Sequence, residues 1–119
     1  MAFFRLVPNL TIMAPKDFKE LEDMLEFAVK LKKPVVIRYP RGGEEISFNT
    51  KKKLVLGKAE VLKEGNDYSI ITIGSKVSTG YHIVDKLEEM NITCDLINVR
   101  FLKPLDKKNV LEKMSKYLN

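Results

Sequence analysis

The chain has 119 residues, 45% apolar and 31% charged, enough for one small folded domain. Its net charge of +5 is spread along the whole chain without a basic stripe or interleaved aromatics, which argues against a nucleic-acid module and for a solvated surface. No apolar run reaches the roughly 18 residues of a membrane span, and the start, MAFFRLVPN, lacks the apolar centre of a signal peptide.

In chain order, Asn9 to Met13 predicts a short strand, broken by Ala14-Pro15-Lys16. Asp17 predicts a helix cap, with Glu20 completing a capping box. Phe18, Leu21, Met24, Leu25, Ala28 and Leu31 recur at helical spacing, and Lys30, Lys32 and Lys33 favour the negative end of the helix dipole before Pro34 stops it. Val35-Val36-Ile37 predicts a second strand, parallel to the first in a βαβ unit and buried on both faces. It exits through Tyr39-Pro40-Arg41-Gly42-Gly43, a tight turn at the carboxyl end of a strand, where ligands of open α/β sheets gather.

Glu44 to Lys53 is polar and without periodicity, which predicts a linker and a domain boundary. Leu56 to Lys63 and Tyr68 to Ile73 predict two strands joined as a hairpin by Gly65-Asn66-Asp67. A helix from about Val77 to Met90 follows, with Ile83, Val84, Leu87 and Met90 on one face. Thr93 to Val99 predicts another strand, and Asp106 the cap of a last helix whose Val110, Leu111, Met114 and Leu118 face inward. The expected fold is α/β, a mixed and largely parallel sheet with flanking helices preceded by a βαβ remnant.

Few residues promise chemistry. Cys94, the lone cysteine, fits a reducing, cytoplasmic setting and reads as a buried inert thiol. His82 lacks neighbours at metal-ligand spacing and reads as helix decoration. The Ile73 to Gly80 turn could hold a phosphate at a helix N-terminus, but fits a plain βα turn capped by Ser or Thr better. Glu44-Glu45 and Glu88-Glu89 read as solvated pairs. Arg38 and Arg41, three residues apart on a turn stiffened by Pro40, offer planar forks for a phosphate or carboxylate, or a structural salt bridge to a neighbouring loop.

Three motifs carry a resemblance: Leu10-Thr11-Ile12-Met13-Ala14-Pro15-Lys16-Asp17, Ile37-Arg38-Tyr39-Pro40-Arg41-Gly42, and Val99-Arg100-Phe101-Leu102-Lys103-Pro104-Leu105-Asp106. In this order and spacing the chain resembles the 1-deoxy-D-xylulose-5-phosphate synthase family of transketolase-like enzymes. The last motif recurs across transketolase-like proteins; the first two point to the synthases.

The resemblance implies that residues 1–44 end a pyrimidine-binding domain and that residues 52–119 form most of a C-terminal domain, truncated. It implies a parent transferase that uses thiamine diphosphate and Mg²⁺ to condense pyruvate with glyceraldehyde 3-phosphate, losing CO₂, for isoprenoid, thiamine and pyridoxal biosynthesis. No cofactor, metal or catalytic residue is expected on this segment, which alone is expected to be inactive. Arg41 matches the family arginine that contacts the aldehyde's phosphate; Arg100 is expected to brace the C-terminal domain. Expected partners are the rest of the parent enzyme, its small-molecule substrates and further copies in a homo-oligomer, with no nucleic acid and no membrane. Phe3, Phe4 and Val7 are expected to face those other segments and to drive self-association. The alternatives are a non-catalytic α/β interaction module and the C-terminal part of another transketolase-like enzyme.

Overall fold

The computed structural model describes residues 9–39 and 53–115. Strand β1 (Thr11–Met13), helix α1 (Phe18–Leu31) and strand β2 (Val35–Ile37) form the first unit. The second holds β3 (Glu60–Lys63), β4 (Tyr68–Thr72), helix α2 (Lys76–Glu89), β5 (Cys94–Asn98), β6 (Phe101–Lys103) and helix α3 (Lys107–Ser115).

Local chemistry sets the ends of α1. The Asp17 carboxylate accepts the Glu20 N–H at 2.8 Å, and Glu20 reaches back to the Lys16 N–H at 3.0 Å. Lys32 closes the helix in the left-handed region, at φ 55°. α2 ends the same way. Asn91 takes φ 62°, the Ile92 N–H returns to the Leu87 carbonyl at 2.9 Å, and both side chains pack on the same core.

β1 and β2 pair in parallel, as the βαβ reading expects, with Thr11 opposite Val35. The three β2 residues are half-buried rather than covered on both faces. The other edge of β1 pairs antiparallel with β6, which the sequence reading did not anticipate, so one sheet (β2-β1-β6) is shared by both units.

The second sheet runs β3-β5-β4, so β3 and β4 are not the expected hairpin. β5 lies between them, antiparallel to β3 and parallel to β4. The reason is β5 itself. All five of its residues are buried, so both of its edges need partners. The connection after β3 is pinned to the start of β5 by Gly65 N–H to Asp95 Oδ1 at 3.0 Å and Asn66 N–H to Thr93 Oγ1 at 3.0 Å.

Two apolar cores result. Met13, Met24 and Phe101 centre the first, with Phe27 meeting the Phe101 ring edge-on at 6.0 Å. Val84, Cys94 and Leu96 centre the second. Several face assignments change. On α1, Phe18 and Leu25 are exposed and Glu20 is buried. On α2, Ile83 is exposed, as is Met90 just past the helix end, and the inner face is Val77, Gly80, Val84 and Leu87. On α3, Leu111 is exposed. The side chains of Met114 and Leu118, and Phe3, Phe4 and Val7, lie outside the described residues.

Candidate functional site

The carboxyl ends of β1, β2, β4 and β5 converge at the seam between the two units. The Arg38 N–H donates to the Met13 carbonyl at 2.9 Å, and the Ala14 N–H to the Arg100 carbonyl at 3.0 Å. Gly74 after β4, at φ 61°, comes so close to Ala14 that an added Cβ would lie 3.3 Å from the Ala14 methyl. The Val99 N–H donates to the Thr72 carbonyl at 2.8 Å. In open α/β sheets this edge is where ligands gather.

A buried polar cluster fills the seam. Lys16 Nζ lies 3.0 Å from Glu20 Oε2 and 3.0 Å from Glu60 Oε1. Arg100 Nε lies 3.0 Å from Glu20 Oε2, and its Nη2 lies 3.1 Å from Glu60 Oε2, an ion pair outside hydrogen-bond geometry. Asn98 Nδ2 donates to Glu20 and Glu60 at 3.1–3.2 Å. Arg100 Nη1 also reaches the Lys53 carbonyl at 3.1 Å. The four charged side chains are 0–4% exposed, and their charges cancel.

Burial alone would raise the Glu60 carboxyl, but the charges of Arg100 and Lys16, with hydrogen bonds from Lys16 and Asn98, outweigh it and hold it below its ordinary value. Such a cluster offers no exposed acid or base. Its chemistry is cohesion, since removing one partner would strand a buried charge.

Arg100 therefore braces more than the C-terminal unit: it ties β5–β6 to α1 as well. It does so from the left-handed region, at φ 66°. Glu60 and Asn98 are not singled out by the sequence reading, where Lys16 figures only in a strand break and the first motif and Glu20 only as a cap. A signal existed: Glu20 is a charge one turn before the core residue Met24, and Asn98 interrupts the apolar run Leu96-Ile97-Val99.

The other candidates fall elsewhere. Arg41 lies outside the described residues, as do Pro40, Gly42 and Gly43. Arg38 is exposed just past the end of β2, and the next residue, Tyr39, packs its ring against Phe18 at the start of α1, tilted by 44° with centroids 5.7 Å apart. His82 is exposed on α2. Ser75 makes no side-chain cap bond at the Gly74 turn, where the Val77 N–H bonds the Gly74 carbonyl at 3.1 Å. Glu88 pairs with Lys63 at 3.2 Å and Glu89 with Lys86 at 3.9 Å. Cys94 is buried; desolvation first, then Asp67, Asp95 and Glu88, push its thiol up.

Among the described residues, no group of three or more His, Cys, Asp or Glu could hold a metal ion. The two buried carboxylates of the seam are committed to Lys16 and Arg100. The described residues thus do not fit a metal–diphosphate site. None of their helices is long and apolar enough to cross a membrane.

The transketolase C-terminal domain family matches residues 57–118, and the transketolase pyrimidine-binding domain family matches residues 1–43. A 1-deoxy-D-xylulose-5-phosphate synthase of Alkaliphilus oremlandii is 43% identical over 98% of the chain, and one of Methylacidiphilum infernorum is 45% identical over 90%. The chain spans only 19% and 17% of those proteins. Among solved structures, a split-gene transketolase described as an inactive β4 tetramer aligns at TM-score 0.87 and 27% identity, covering 96% of this chain and 38% of that one. A Pichia stipitis transketolase aligns at TM-score 0.68 and 21% identity, a likeness of fold, over 96% of this chain and 17% of that one. The α/β fold, with mixed sheets and flanking helices, is that of these neighbours, and the chain belongs to the transketolase family.

Proposed function

We propose that this chain is the end of the pyrimidine-binding domain and most of the C-terminal domain of a 1-deoxy-D-xylulose-5-phosphate synthase. The observation that carries the reading is 43% identity to such a synthase over 98% of the chain. The parent enzyme would condense pyruvate with glyceraldehyde 3-phosphate and release CO₂. Thiamine diphosphate, with Mg²⁺, supplies the covalent chemistry of such enzymes when bound. In this reading the described residues hold the strand ends in place through the seam. Arg41, on the Tyr39-Pro40-Arg41-Gly42 turn, contacts the aldehyde's phosphate in this reading.

The test is a chimera in which this chain replaces the matching segment of the Alkaliphilus oremlandii synthase. Formation of 1-deoxy-D-xylulose 5-phosphate from pyruvate and glyceraldehyde 3-phosphate is the expected result. A folded chimera that uses a different aldehyde acceptor, or none, would refute the synthase reading.

A further inference from the structure

Residues 9–39 and 53–115 meet along one seam, and the contacts across it come from both backbone and side chains. β1 pairs with β6, placing Ile12 opposite Lys103 and Met13 opposite Phe101. The Ala14 N–H is received by the Arg100 carbonyl at 3.0 Å. The ionic contacts cross the seam in both directions. Lys16 of the first unit meets Glu60 of the second at 3.0 Å, and Arg100 of the second meets Glu20 of the first at 3.0 Å. Each unit thus supplies one cation and one carboxylate. Shifting the units would set Lys16 toward Arg100 or Glu20 toward Glu60, like against like in a desolvated space. That penalty gives an interface its register. Asn98, 0% exposed, spends its amide N–H groups on both carboxylates and joins the two crossings.

We propose that the seam is a self-sufficient, charge-coded interface: the unit carrying Glu60, Asn98 and Arg100 recognises an edge strand followed by a Lys-x-x-x-Glu helix start, and holds it without help from the connecting backbone. The partner is fixed by chemistry. It presents a free strand edge to β6, a cation for Glu60 and, four residues on, a carboxylate for Arg100.

The experiment uses the full chain with one engineered site for a specific protease between Glu45 and Lys51, cleaved after folding. The two pieces are expected to elute together in size-exclusion chromatography at micromolar concentration, from physiological to molar salt, because buried pairs are little screened. In the same nicked background Arg100→Met should weaken their association by on the order of a hundredfold or more. Glu20→Gln, close in shape, should act in the same direction and serves if Arg100→Met unfolds the chain before cleavage. Separation of the wild-type pieces on cleavage overturns the proposal. So does a nicked Glu20→Gln chain held as tightly as wild type, which would make the seam apolar in its energetics and the charges incidental.

Discussion

Arg100 Nε lies 3.0 Å from Glu20 Oε2, so an ion pair 80 positions apart in sequence closes the space between α1 and the β5–β6 corner. Its burial makes it costly to break from one side. Arg100→Met should destabilise the chain by about 3–5 kcal/mol, since Glu20 and Glu60 lose a counter-charge where water cannot replace it. Urea unfolding checks this. The double variant Arg100→Met, Glu20→Gln should lose less than the sum of the two single changes, because the carboxylate stranded by the first is neutralised by the second.

Acid should weaken the fold through Glu60. Its folded pKa lies below the ordinary carboxylate value, so it contributes stability above the unfolded pKa of about 4.3 and loses it as pH falls through the folded value. Unfolding midpoints measured from pH 6 downward (roughly pH 5 is where unfolded carboxylates begin to protonate) should fall more steeply for the wild type than for Glu60→Gln. Equal slopes would mean that Glu60 is not held down by Arg100 and Lys16.

Two glycines should tolerate alanine unequally. At Gly65 a Cβ would collide with the Cys94 nitrogen and lie 2.6 Å from the Thr93 carbonyl carbon, both backbone atoms at the entry to β5. At Gly80 it would meet side-chain tips, Thr72 Cγ2 at 2.8 Å and Leu96 Cδ1 at 2.9 Å. Gly80→Ala should therefore cost about 1–3 kcal/mol from overpacking, partly offset by better helix propensity of about 1 kcal/mol. Gly65→Ala should cost more, by forcing β5 from its place. Thermal melts of the two variants side by side decide the order.

Cys94 should be silent toward thiol reagents in the native chain at neutral pH and react freely once urea unfolds it. Burial, followed by three nearby carboxylates, raises its pKa and depletes the reactive thiolate. A stoichiometric colorimetric titration with and without denaturant reads this directly.

In the chimeric synthase, Arg41→Ala should raise KM for glyceraldehyde 3-phosphate roughly tenfold to a hundredfold, the worth of about 1.5–3 kcal/mol for a charge-assisted hydrogen bond. Unphosphorylated aldehydes and pyruvate decarboxylation should change little. Arg41→Lys should recover part of the loss, keeping charge but not the fork. Equal impairment with both aldehydes would make Arg41 structural.

What the sequence disclosed and what it hid divide along locality. The start of α1 was readable because Asp17 and Glu20 act within four residues of each other, and β2 because three β-branched residues follow Pro34. Strand order was not readable. β5 separates β3 from β4 through contacts between distant residues, such as the Gly65 N–H to Asp95, 30 residues apart. The seam was hidden for the same reason. Lys16 and Glu20 look like ordinary helix-start charges until Glu60 and Arg100 are brought beside them. The Arg41 turn lies outside the described residues and rests on motif and resemblance alone.

The order β3-β5-β4 also dictates a sequence of events in folding. β3 leaves the ribosome before β4, yet the two never touch as neighbours, so β3 has no partner when it emerges. It must wait for β5, which carries the Asn98 that stands opposite Glu60 in the ladder. A pairing that closes across so long a stretch of chain is slow to form. Until β5 arrives, Glu60 lacks both Asn98 and the Arg100 that follows it, and the β3 edge stays unpaired and open to a chaperone.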